Sequence, residues 1–392
     1  VIQALAPTQA APPQPLAAPP AFAVLRLAVS EFRCYRRAEL ETDGLGVVLT
    51  GPNGAGKTNL LEAASLLAPG RGLRRAGLAE IERHGACTRW AVSATVSGPA
   101  GAIVIGTGRD PEAGEGSERR VVRIDGQPQR GPAALGAHMA LSWLTPAMDR
   151  LFADGPGARR RFVDRLVLGF DPDHARRVAA YDQAMRERAR LLEAGGADPI
   201  WLGALEATMA AEGVAVAAAR KALVARLAAA APTDGPFPAP GLAMTGELAG
   251  WLETMPALAA EERLAASLAA ARRRDAEAGR AGAGPHRDDL AVTWPAKGQP
   301  ARLCSTGEQK ALLVAIVLAH ARAVAAERGR APLLLLDEIA AHLDAQRRQA
   351  LFREIAGIGC QAWMTGTDEM LFAPLAGKAR FFRVADARIE PR

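Results

Sequence analysis

The sequence predicts an α/β fold in which a mixed sheet carries a glycine-rich loop and a mainly helical segment is inserted midway. Three observations carry this. Gly51-Pro-Asn-Gly-Ala-Gly-Lys57-Thr58 lies between an apolar run, Gly46–Thr50, and a helix-like stretch, Asn59–Leu67. That strand–loop–helix setting is what a phosphate-binding loop requires. Far downstream, four leucines run into Asp337 and Glu338, a buried strand ending in two acids. Between the two, the pattern from 173 to 278 is helical. At 392 residues the chain exceeds one ordinary core, so more than one lobe is expected.

Residues 1–21 are rich in Ala and Pro, carry no charge, and read as a disordered extension. Val24–Ser30 alternates as a first strand, and Ala38–Glu41 reads as a second, both leading into the Gly46–Thr50 strand. After the loop and its helix, Pro69–Arg75 is glycine-rich and basic. Trp90–Val96, Ala102–Ile105 and Arg120–Asp125 are separated by turn residues and read as an antiparallel sheet, with 109–118 an exposed hairpin loop. The texture changes near Pro132. Apolar His138–Leu144 leads through Thr145–Phe152 to Gly155–Asp164. Asp173–Leu192 is a charged amphipathic helix and Ile200–Ala231 a long alanine-rich one, broken by Pro232–Pro240. Thr245–Arg274 continues as helix with an interruption near Pro256. No heptad is sustained, which predicts a compact insertion, not a long coiled coil. Ala283–Asp289 is a polar turn into the strand Leu290–Trp294. Arg302–Lys310 opens a helix to about 327, followed by the strand 332–338, a helix at Gln346–Ile355, a strand at Gln361–Thr367 and a last one at Phe381–Val384. The expected divisions are therefore the extension 1–21, a first sheet-bearing part 22–135, a helical insertion 136–282 and a second sheet-bearing part 283–392.

An apolar share of 49% with 23% charged residues describes a globular chain. The longest strongly apolar run, Ala311–Ala319, is too short to span a bilayer and reads as a buried helix. With no signal-peptide pattern at the start, a cytoplasmic location is expected. Cys34, Cys87, Cys304 and Cys360 are far apart and make no C-x-x-C pair, so they read as small buried residues in a reducing compartment. A formal charge of +6 leans toward a polyanionic partner. The lean is discounted, because five lysines beside 43 arginines also fit the coding bias of a GC-rich genome.

The chemistry of the motifs is specific. Glycines let successive N–H groups of 51–58 converge on one concavity, and the helix start behind them adds a positive dipole end. Lys57 would reach the β- and γ-phosphates, and the Thr58 hydroxyl would hold Mg²⁺. Asp337 would complete the metal shell and Glu338 would polarise an attacking water. Ser305-Thr-Gly-Glu308 has the form of a capping box, and equally that of a second phosphate-facing helix start. Ser305 lies 32 residues before Asp337, on the helix preceding the acidic strand, as does the signature serine of ABC-type ATPases. His286 and Arg287 read as a metal ligand and anion binder, or as a hydrogen-bonded polar turn. Arg159–Arg161 reads as a solvated face or a DNA contact.

Leu25-Arg-Leu27 and Phe32-Arg-Cys-Tyr35, Gly51–Asn59, Gly70–Arg75, Ala283–Asp289, Ser305–Glu308 and Leu335-Leu-Asp-Glu338 with His342-Leu-Asp344 together resemble the RecF family. These are bacterial recombination-mediator ATPases related to SMC proteins, and the match runs from about residue 24 onward. The resemblance implies an ABC-type, SMC-like ATPase head with ATP and Mg²⁺ as its cofactors. It implies that Gly51, Pro52, Asn53, Gly54, Ala55, Gly56, Lys57 and Thr58 cradle the phosphates. Thr58 and Asp337 would hold the metal, with Glu338 the catalytic base beside Lys57. Ser305, Gly307 and Asp344 would act in trans across an ATP-dependent homodimer. The implied partners are duplex and single-strand or gapped DNA, RecR and RecO. The implied outcome is RecA loading, with a weak DNA-stimulated ATPase serving as a switch. Two departures stand out. Thr365-Gly-Thr367 occupies the place of a γ-phosphate-sensing histidine, and no glutamine occurs in 141–152, where Thr145 or one of its neighbours would have to serve.

Two other classes compete: the nucleotide-binding subunit of an ABC transporter and a short SMC-like chromosome organiser. The 248 residues from Lys57 to Ser305 are many for the first and few for the second, whose arms would also not tolerate this much Pro and Gly.

Overall fold

The structure is a computed structural model and describes residues 22–98, 101–112, 114, 119–195, 198–232 and 235–392. The extension expected at 1–21 lies outside the described residues, as do 113 and 115–118 of the expected hairpin loop. The strands are β1 Val24–Phe32, β2 Tyr35–Glu41, β3 Gly46–Thr50, β4 Ala91–Val96, β5 Ile103–Arg109, β6 Arg120–Ile124, β7 Gln127–Pro128, β8 Leu141–Leu144, β9 Gly241–Thr245, β10 Asp289–Trp294, β11 Gln299–Pro300, β12 Leu333–Leu336, β13 Ala362–Gly366, β14 Ala379–Ala385 and β15 Arg388–Pro391. The helices are α1 Lys57–Ser65, α2 Pro156–Val167, α3 His174–Ala194, α4 Pro199–Ala229, α5 Glu247–Thr254, α6 Ala257–Ala270, α7 Arg272–Ala278, α8 Thr306–Arg328 and α9 Ala345–Ile358.

The central sheet has the order β15-β14-β3-β13-β12-β8, parallel throughout except for the edge hairpin β14–β15. A parallel sheet is covered on both faces, so its inner strands are largely apolar. Alternate residues go to opposite layers. Val48, Leu334, Leu336, Ala362 and Met364 face a core built from α2, α8 and α9, and Val47, Leu49, Leu333, Leu335 and Trp363 face α1 and a second sheet. That second sheet, β2-β1-β4-β5-β6-β7, is antiparallel. Gln361 ties the two sheets. Its amide oxygen accepts from Val24 N at 2.8 Å, and its amide nitrogen donates to Val24 O at 2.9 Å and Leu45 O at 2.8 Å.

The middle of the chain packs separately, with α3, α4, α5 and α6 around Tyr181, Met209, Val214, Trp251 and Leu264. Between the Pro232–Pro240 break and the helix expected from Thr245 the sequence reading placed no strand, yet β9 pairs there antiparallel with β10, which pairs in turn with β11, and helix begins only at Glu247. The hairpin loop expected at 109–118 begins later than expected, because Arg109 ends β5 and both it and Asp110 are buried. By length and composition α4 and α8 could each cross a membrane. In α8, however, 78% of the apolar window is buried within the fold, and in α4 half is. The helix expected to run to about 327 is α8, and the 311–319 run is its buried middle.

Candidate nucleotide site

Five side chains converge at the C-terminal ends of β3, β12 and β13, where α/β sheets place ligand groups. The loop after β3 depends on glycine in two places. Gly51 has φ +145°, and a Cβ there would lie 2.0 Å from Val384 O of β14. Gly56 has φ +111° and caps α1 without a side chain, so no side-chain cap covers the helix start, while the Asn59 N–H turns inward to Gly56 O at 3.0 Å. Gly54, at φ +79°, has open space beside it, and Pro52 and Asn53 are exposed at the loop tip with it. Ala55 closes the turn, its N–H donating to Pro52 O at 3.3 Å.

Lys57 is buried and folds back over its own loop. Its Nζ donates to Gly51 O at 2.8 Å and Pro52 O at 3.0 Å, and lies 3.6 Å from Glu338 Oε1. Thr58 Oγ1 donates to Asp337 Oδ1 at 2.9 Å, across 279 positions of sequence. Asp337 is held in turn by its own N–H, which donates to Leu144 O of β8 at 2.9 Å. Thr145, proposed in place of a glutamine, follows that residue directly. Glu338 has left-handed backbone (φ +54°, ψ +15°), a conformation that costs a non-glycine residue energy and concentrates at functional sites.

Thr365 is placed differently from the sequence expectation. It is fully buried, its hydroxyl donates to Asp337 Oδ1 at 2.7 Å, and it accepts from Glu338 N at 2.9 Å. It thus orients both acids from behind, whereas Thr367 is exposed. The signal was a hydroxyl residue at the end of a buried strand, and only the strand order shows which neighbour it meets.

Ser305, Gly307 and Asp344 stand on exposed surface. The capping box is present: Ser305 Oγ accepts from Glu308 N at 3.4 Å, and Glu308 Oε2 accepts from Ser305 N at 2.9 Å. Asp344 caps α9, accepting from Arg347 N at 2.8 Å, and Arg347 reaches Gly307 O at 3.5 Å. The two helix starts are therefore one connected surface. Lys310, on the first turns of α8, pairs with Asp149 after β8 at 2.8 Å.

Other expectations need correction. Cys34 and Cys87 are exposed, and only Cys304 is buried; all four thiols are free. Burial pushes the Cys360 thiol up to about 12. His286 is hydrogen-bonded to Tyr181 OH at 2.6 Å and Ala281 O at 3.0 Å, so it serves the polar turn. Arg159 is bound to Asp289 at 2.7 Å and Arg160 to Asp288 O at 2.7 Å, which makes them internal ties; Arg161 is exposed.

The residues present fit a nucleotide with its metal. The loop's glycines are required by its shape. Thr58 Oγ1 and Asp337 Oδ1 are adjacent hard oxygen donors, the kind of pair that suits Mg²⁺ taking its remaining ligands from phosphate and water.

This fold and site define the head of an ABC-type, SMC-like ATPase. The model of the RecF/RecN/SMC N-terminal domain matches residues 23–374. A DNA replication and repair protein RecF of Rhizobium etli (strain CIAT 652) is 51% identical over 367 residues, covering 93% of this chain and 97% of that protein. Two solved structures of the recombination mediator protein RecF in the RecFOR pathway share the fold at 21% identity. The one with ATPrS superposes with a TM-score of 0.83, covering 95% of this chain and 98% of that one. The one with ATP gives 0.80, covering 95% and 100%. The chain belongs to the RecF family.

Proposed function

We propose that this chain is an ATP-gated DNA-binding protein of recombinational repair and replication restart. The observation that carries the reading is the division of the site. Lys57, Thr58, Asp337 and Glu338 converge in one place, while Ser305, Gly307 and Asp344 form a separate exposed surface. Leu303, apolar and 60% exposed, lies two residues before Ser305, as suits an interface between copies. Relatives named for DNA replication and repair, and structures named with ATP, support the ligand and the process.

In this reading the 51–58 loop and the α1 N-terminus hold the triphosphate. Lys57 leaves its loop carbonyls for the β- and γ-phosphates, and Thr58 and Asp337 hold Mg²⁺, which would neutralise phosphate charge. Ser305, Gly307 and Asp344 of a second copy close over the γ-phosphate, so nucleotide becomes part of the dimer interface. Glu338 orients the attacking water, and weak, DNA-stimulated hydrolysis releases the pair. The closed dimer binds duplex or gapped DNA and works with RecR and RecO to promote RecA loading.

Sedimentation with and without ATP, beside anisotropy of duplex, single-stranded and gapped DNA across a salt series, tests this. Lys57→Ala should lose ATP binding and ATP-dependent dimers. Ser305→Ala should keep ATP binding as a monomer and lose dimers. DNA affinity that ignores ATP, or a wild-type protein whose sedimentation ATP leaves unchanged, would overturn the reading.

A further inference from the structure

The start of α8 carries Ser305 and Gly307, and Lys310 stands on the same turns, five positions past Ser305. Lys310 is 7% exposed, and its Nζ donates to Asp149 Oδ2 at 2.8 Å. Asp149 closes the short turn Pro146–Met148, its N–H donating to Pro146 O at 3.1 Å, while Met148 N–H donates to Thr145 O at 2.9 Å. That turn follows β8, whose last residue, Leu144, accepts from Asp337 N at 2.9 Å. A line of contacts thus runs from the acid beside Thr58, through the end of β8 and its turn, to the helix whose first residues form the separate exposed surface. Other ties at the α8 start lie nearer solvent: exposed Lys297 meets Glu308, and Arg347 reaches Gly307 O at 3.5 Å. A buried ion pair is a weak way to stabilise a helix, because desolvating both charges offsets most of their attraction and an apolar pair of similar volume often does as well. What the charge adds is direction. Lys310 meets a partner in one pose of α8 against the turn, whereas apolar contacts tolerate sliding.

We infer that Lys310 is a positioning residue, whose ion pair with Asp149 sets the pose of Ser305 and Gly307 relative to the nucleotide site of the same chain. The inference rests on the reading of Ser305 and Gly307 as the surface that meets a second copy's nucleotide. Lys310 lies beneath that surface and acts through the helix it stands on. Removing the pair leaves Lys57, Thr58 and Asp337 with their own contacts and loosens only the face that each copy offers the other. Nucleotide binding by one chain and pairing of two chains then come apart, which a general loss of structure would not do.

The test compares the full chain with Lys310→Met, which removes the charge and keeps the bulk, with Asp149→Asn, and with the double variant. Three quantities are measured: affinity for a fluorescent ATP analogue at protein concentrations too low for dimers, the dimer dissociation constant by sedimentation with ATP, and the urea midpoint. Each single variant should hold nucleotide affinity within about twofold and weaken the ATP-dependent dimer roughly tenfold, with the urea midpoint near wild type. The double variant should be no worse than either single, because the two residues make one interaction. Should Lys310→Met fail to fold, Asp149→Asn, altered at the half-buried partner, carries the same comparison. Three results would overturn the proposal: dimers as tight as wild type in the single variants, losses that add in the double variant, or nucleotide affinity falling in step with dimerisation. An unmutated chain that forms no dimers with ATP removes the surface reading and this proposal together, and is told apart because the loss precedes any substitution.

Discussion

Thr365 joins two acids whose separate roles depend on where each points. Its hydroxyl gives its proton to Asp337 and takes a hydrogen bond from the N–H of Glu338, the residue with left-handed backbone. Thr365→Val keeps the shape but leaves Glu338 N–H without its partner, while Asp337 Oδ1 keeps only the bond from Thr58. The expected cost is about 1–3 kcal/mol in urea unfolding, because a buried polar group left unpaired bears its full desolvation penalty. Thr365→Ser should recover most of it. ATP turnover should fall in Thr365→Val beyond what stability explains, while ATP binding holds. Equal turnover in the Val and Ser variants would show the hydroxyl to be structural only. The loop at 51–58 was legible because its spacing encodes its own backbone. The role of Thr365 was not, because it comes from β13 lying beside β12, and no local spacing records strand order.

Among the elements, α3, α4 and α7 are pinned by one buried ionic node. Arg188 donates to Glu206 at 2.9 Å, Asp275 at 2.8 Å and Leu268 O at 2.7 Å, and Arg272 adds a second contact to Glu206. Burial pushes the Glu206 carboxyl up, but the Arg272 and Arg188 guanidinia outweigh it and hold the group below the usual carboxylate range. Arg188→Ala strands the buried Asp275 without an ionic partner and leaves Glu206 with Arg272 alone, and should cost about 3–5 kcal/mol, seen as a lower urea midpoint. A midpoint within error of wild type would mean that water already reaches the node. Helices α3 and α4 were readable from their apolar spacing and their Pro and Gly ends. The strand β9 was not. Its residues are only half-buried at best, and what makes Gly241–Thr245 a strand is β10, nearly 50 positions downstream. The edge strand β15 escaped notice for the same reason, since it is set by pairing with β14.

Across the whole molecule, acid stability is a contest between two buried groups. His320 of α8 accepts from Ser142 Oγ of β8 at 2.5 Å and donates to Leu166 O of α2 at 2.8 Å, so it is neutral, and burial pushes it down to about 4. Its unfolded value is near 6.5, so between 4 and 6.5 the unfolded chain binds more protons, and the fold loses stability as pH falls through that window. Asp288 runs the other way. Burial pushes its carboxyl up to about 6, so the fold takes up a proton there that the unfolded chain does not, and acidification favours the fold. Comparing urea unfolding at about pH 7 and pH 5, His320→Gln should lose less stability on acidification than wild type, and Asp288→Asn should lose more. The opposite order would reverse both assignments. The central sheet also has a consequence in time. β3, made early, is flanked by β13 and β14, which begin only at Ala362 and Ala379, and Gly51 packs on Val384. At ribosomal speed the nascent phosphate loop waits on the order of tens of seconds for its neighbours. On the proposed reading, a chain interrupted before β13 carries the whole 51–58 motif but lacks the two strands that flank β3, so it should not bind nucleotide until synthesis is nearly done.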